Sequence, residues 1–99
     1  MPKYLLIWTI DQNRIPIAPK DRASAYKVLT AAIKDDIDSG RTKDWGNFAG
    51  QNVGYAVFEG THLQLGLMLQ KYIPWVIFET HEISSLDDVN EMLEELIKM

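Results

Sequence analysis

The residue sequence predicts an α+β domain in which two β-α-β units are joined by a hairpin and followed by one further helix. Three observations carry this. Four short runs rich in apolar and β-branched residues lie at 3–10, 42–49, 53–59 and 75–83. Two stretches with apolar residues spaced by three and four lie between the first and second runs and between the third and fourth. Prolines and glycines fall at the boundaries, where breakers belong. The 99 residues suffice for one domain, 1–99, with a modest core.

The first run, Tyr4-Leu5-Leu6-Ile7-Trp8-Thr9-Ile10, is apolar on both faces. Leu5 and Ile7 point one way, and Tyr4, Leu6, Trp8 and Ile10 point the other. A strand of this kind must be covered on both sides. Ile15-Pro16-Ile17-Ala18-Pro19 is a loop that two prolines hold out of regular structure. From about Lys20 a helix follows, with Ala25, Tyr26, Leu29, Ile33 and Ile37 as its buried stripe and Gly40 as its stop.

The run 42–49 is a weaker strand, and Gly50-Gln51-Asn52 is the turn of a hairpin. In 53–59, Val53, Tyr55 and Val57 share one face, and Gly54, Ala56 and Phe58 share the other. The small Gly54 and Ala56 predict something packed close to the sheet. Thr61 caps a second helix with Leu63, Leu67 and Tyr72 on its apolar side, Met68 adjoining, and Pro74 at its end. The fourth strand sets Trp75, Ile77, Glu79, His81 and Ile83 against Val76, Phe78, Thr80 and Glu82. Ser84 and Ser85 before Asp87 and Asp88 open a final helix, whose stripe is Leu86, Val89, Leu93 and Leu96.

The order β-α-β-β-α-β is the ferredoxin-like pattern, here with an extra C-terminal helix. Two helices cover one face of its four-stranded sheet. The other face is expected to be polar in a monomer, yet strands one, three and four carry apolar residues on both sides. A two-fold dimer with sheets packed face to face would bury them. The alternative is that the final helix covers part of that face.

The formal net charge is −4, with ten basic and fourteen acidic residues. Residues 1–43 hold eight Lys/Arg and five Asp/Glu, whereas 79–99 hold seven acidic residues and Lys98 alone as a base. This balance excludes a nucleic-acid partner, for which a basic excess is the signature. No apolar run approaches the roughly 20 residues of a membrane helix, and no signal segment is visible, so neither a membrane partner nor export is expected and a cytoplasmic location is the default. The absence of cysteine removes thiolate metal sites and cysteine nucleophiles. His62 and His81 have no ligand spacing, so no metal is expected, and no phosphate-binding loop or nucleophile elbow is present. No cofactor is expected.

Two groups of candidate site residues remain. Glu79 and His81 share a strand face, and a histidine oriented by a carboxylate can act as a general base. The plainer and preferred reading is a pair at the barrel or dimer rim, satisfying each other and the neighbouring strand. Trp8, Trp45, Tyr55 and Trp75 could line an aromatic pocket for a flat ligand. Trp45 stands out because it sits in a polar, glycine-flanked strand where a large aromatic has little reason to be core.

The segments Tyr4–Ile10, Lys43-Asp44-Trp45-Gly46, Gly54–Thr61 and Phe78–Ile83 resemble, in the same order and over nearly the whole chain, a family of small prokaryotic proteins of the kind found in methanogenic archaea. That family is related to the dimeric α+β barrel group. The resemblance implies a ferredoxin-like dimer with a pocket between sheet and helices. The group includes isomerases, cofactor-independent and haem-degrading monooxygenases, and ligand-binding regulatory domains. The Asn, Trp and His of the haem-degrading enzymes do not map here, since Asn13 lies beyond the first strand. Two functions are therefore expected: a homodimeric small-molecule binding or sensing domain, or a cofactor-independent isomerase or monooxygenase with His81 as base and Glu79 orienting it.

Overall fold

A computed structural model describes residues 2–99. The elements follow the predicted order: β1 (Lys3–Ile10), α1 (Pro19–Asp38), β2 (Thr42–Asn47), β3 (Val53–Glu59), α2 (His62–Gln70), β4 (Val76–Ile83) and α3 (Leu86–Lys98). The four strands form one antiparallel sheet in the order β2-β3-β1-β4, an arrangement compatible with a ferredoxin-like fold. Leu6 pairs with Ala56 on one side and Thr80 on the other, so the most apolar strand occupies the centre.

The core lies on the helix-covered face. Tyr4, Leu6, Ala56, Phe58 and Leu65 form one buried cluster, and Trp8, Tyr72 and Val76 form a second. Full burial of one such side chain stabilises by roughly 1.5–3 kcal/mol. Gly54 makes the close approach possible: a Cβ there would collide with the Trp8 indole and the Gly46 carbonyl. The small residue predicted to admit a neighbour is thus overlain by the first strand's tryptophan.

Local signals explain most boundaries. Pro19 occupies the first turn of α1, where its missing N–H costs nothing. Gly40 adopts φ +83 just past α1, as a C′ residue does. Thr61 and Gln64 form a reciprocal capping box on α2, and Ser85 and Asp88 form one on α3. A short 3₁₀ turn at Gln12–Arg14, capped by the Asp11 side chain, follows β1.

Five details differ from the sequence reading, the first being that β4 begins at Val76 and leaves Trp75 in the preceding turn. β2 ends at Asn47, and the Phe48 N–H closes the hairpin on the Val53 carbonyl instead. α2 ends at Gln70, so Tyr72 lies in the turn before Pro74 rather than on the helix. α2 buries Leu65, with Met68 and Leu69 beside it, while Leu63 and Leu67 are 71% and 62% exposed. Its leucines occupy several sides, and contact with Phe58 and Tyr4 decides which side turns inward. In α1, Ala25, Tyr26, Leu29 and Ile33 are half-buried, Ile37 is exposed and Asp36 takes the inward position.

The second face of the sheet is uncovered. Leu5, Ile7, Val53, Tyr55 and Val57 are half-buried there, Tyr55 with its ring stacked on Phe48, and Ile77 and Ile83 are exposed. α3 does not lie over it. Every residue of α3 is exposed, including Leu86, Val89, Met92, Leu93, Leu96 and Ile97. The molecule is elongated, 61 × 25 × 20 Å. Among the described residues no helix is long and apolar enough to cross a membrane.

Candidate functional site

A cavity of about 340 Å³ opens between the sheet and α1. Its floor is Leu6, Trp8, Ala56 and Phe78, contributed by three strands through the alternation that points one residue in two inward. Tyr26, Leu29 and Ile33 of α1 form the roof, and Met68 and Tyr72 close one side. Trp45 completes the wall from β2. Its ring stacks on Trp8 with centroids 5.5 Å apart and planes 9° from parallel. Trp8 is itself fixed by donating its indole N–H to the Tyr55 carbonyl at 3.1 Å. The two indoles thus present a rigid aromatic wall.

The walls are apolar, and the polar groups gather at opposite ends of β2. At its start, Asp36 faces the buried Thr42 end of the cavity. The Tyr72 hydroxyl donates to Asp36 Oδ2 at 2.6 Å, and the Lys71 ammonium pairs with Asp36 Oδ1. Burial first, and then the hydrogen bond and charge of Asp36, push the Tyr72 phenol well above its ordinary range. Tyr72 is therefore a neutral donor and cannot serve as a base. At the far end of β2, Asn47, Gln51 and Asn52 line the mouth. Asp36 is the one charged residue lining the cavity among the described residues, and Lys71 matches it.

The aromatic candidates separate. Trp8 and Trp45 line the cavity. Tyr55 projects from the opposite, open face, where its hydroxyl donates to Asp44 Oδ2 at 2.9 Å. That bond and partial desolvation raise its pKa. Trp75 precedes β4 and borders a separate depression of about 220 Å³ with Ile15, Val28 and Lys71. Tyr55 and Trp75 are consequently not part of the principal cavity. One is turned away by strand alternation, and the other stands outside the strand.

Glu79 and His81 do meet, with Oε2 and Nε2 3.0 Å apart. They are 68% and 56% exposed and lie on the open face, opposite the cavity. The partly buried setting expected from their apolar strand neighbours is absent in the single chain. Among the described residues no cluster of histidines and carboxylates is arranged to hold a metal.

Asp36, Tyr72, Asn47, Gln51 and Asn52 are site residues that the sequence reading did not single out. Asp36 carried a usable signal. It falls three after Ile33 and seven after Leu29, in phase with the inward stripe, which is an unusual place for a carboxylate. Compared with known proteins, the chain matches no family model and no curated protein.

Proposed function

We propose that the protein is a homodimeric small-molecule binding or sensing domain, cytoplasmic and built on the dimeric α+β barrel plan that its sequence resembles. The cavity beside Trp8 and Trp45 carries the proposal. Its volume falls in the range of small-ligand sites, roughly 300–1,000 Å³, and its apolar walls with a few convergent polar groups are what such sites use. The same features define the ligand. A flat, uncharged body suits the stacked indoles. Hydrogen-bonding groups at one or both ends suit Tyr72 and the three amides. A charged ligand is disfavoured because Asp36 already has its counter-ion. The apolar residues of the open face support the dimer, with the two sheets packed on each other.

The test is titration with 1-naphthol as a neutral flat probe and naphthalene-1-sulfonate as its anionic counterpart, followed by NMR of the indole N–H signals. Saturable binding of 1-naphthol is expected, stronger than that of the sulfonate. Trp45→Ala should weaken it at least about tenfold, since it removes both a stacking partner and part of the wall. Trp75→Ala should leave it unchanged. No saturable binding, or equal losses in the two variants, would overturn the assignment.

A further inference from the structure

The helix α3 is finished as a helix and unfinished as a packing element. Its capping box is complete, its first turn carries Asp87 and Asp88, and Lys98 stands in its last turn. Leu86, Val89, Leu93 and Leu96 follow a three-four-three spacing, with Met92 and Ile97 at the margins. Every residue of this stripe is exposed in the single chain. A helix with such a stripe ordinarily buries it.

The areas say how much is missing. A folded monomer of 11.3 kDa is expected to expose about 5,700 Å². This chain exposes 7087 Å². The excess, about 1,400 Å², is larger than the roughly 800 Å² that one partner contributes to a standard interface. The radius of gyration tells the same story, 16.7 Å against about 13 Å for a compact chain of this length.

The open face offers a matching surface. On β1 and β3 its apolar residues are already half-buried, and on β2 it presents Asp44 and Gly46. The exposed apolar residues lie along β4, with Ile77 58% and Ile83 38% exposed. β4 is also an edge strand and the one from which α3 departs. Both unfilled surfaces belong to one chain, so two copies can satisfy each other reciprocally, as a two-fold interface requires.

We propose that α3 is an exchanged arm: in the dimer, each α3 lays its apolar stripe along β4 of the second copy, over Ile77 and Ile83. The proposal rests on the homodimer put forward above. The acidic side of the helix, with Asp87, Asp88, Glu91, Glu94 and Glu95, then faces water. The arm seals the β4 flank of the sheet-to-sheet contact and accounts for the excess exposed area of the free chain.

The natural absence of cysteine allows a clean test in the full chain. One preparation carries Leu93→Cys, a second carries Ile77→Cys, and the two are mixed, equilibrated and oxidised. Both positions are exposed, so neither change disturbs the core. A mixed disulfide of twice the chain mass can form only between copies and is the expected product. Leu93→Glu should also raise the dimer dissociation constant at least about tenfold, whereas Glu91→Gln should leave it unchanged. A dimer by sedimentation that yields no mixed disulfide, or only the Leu93→Cys homodisulfide, would overturn the arm while preserving the dimer. An intramolecular disulfide in the double variant would overturn it in favour of a helix folded back on its own sheet. A monomer at all concentrations would defeat both the arm and the dimer.

Discussion

Tyr72 illustrates how one side chain can be read in two ways. By spacing it belongs to the apolar side of α2. In the structure it lies beyond the helix, buried, with its hydroxyl on Asp36. Its phenol is held protonated above its ordinary value of 10.0. The unfolded chain loses that proton near pH 10 while the folded chain keeps it, so the stabilisation is complete below pH 10 and declines as pH rises above it. Tyr72→Phe should flatten the alkaline fall in stability measured by denaturant titration between pH 9 and 11. Near neutrality the same change should cost about 1.5–3 kcal/mol, because it deletes a hydrogen bond to a charged group. An unchanged alkaline slope would contradict the assignment. Asp36 was legible in principle from its helical phase. Its partners Lys71 and Tyr72 were not, because their positions depend on where α2 stops. Trp45 was legible because a bulky ring in a polar strand has to be explained by something nearby.

At the scale of elements, order and type were readable wherever periodicity was strong. β1, β3 and β4 announce themselves as short runs of apolar and β-branched residues, and α3 by its stripe and cap. α2 was readable as a helix but not in its orientation. His62–Gln70 carries four leucines at alternate positions, so no single face stands out. Contacts with Phe58 and Tyr4 chose Leu65 over Leu63 and Leu67. The cap then fixes where the helix begins. Thr61→Ala removes the side-chain oxygen that accepts the Gln64 N–H and should lower unfolding free energy by about 1 kcal/mol. Equilibrium denaturation would show this as a shifted midpoint with an unchanged slope. A negligible shift would mean that α2 is held by packing alone.

At the scale of the whole molecule, the sequence signalled a shortage of cover before any coordinates were considered. Strands that are apolar on both faces cannot be satisfied by helices on one. The structure adds that α3 does not make up the deficit within its own chain. Ile7 lies on the open face of the central strand and is only half-buried. In the proposed sheet-to-sheet dimer, Ile7→Lys should leave the fold intact yet leave the protein monomeric, because each copy would bring a lysine into the apolar contact. Sedimentation velocity distinguishes the species, and circular dichroism checks the fold. A dimer that survives Ile7→Lys would place the interface elsewhere. Charge is distributed with similar economy. α3 holds five acidic residues and one lysine, so the rest of the chain is formally neutral and the helix alone carries the net charge of −4.

The parallel indoles of Trp8 and Trp45 also give the molecule an optical signature. Two transition dipoles held rigidly face to face couple to each other, whereas Trp75, outside the cavity, absorbs and emits as an isolated chromophore. A β2 strand pulling away from the sheet would uncouple the pair and leave Trp75 as an internal reference. The wall of the cavity is therefore its own unlabelled reporter.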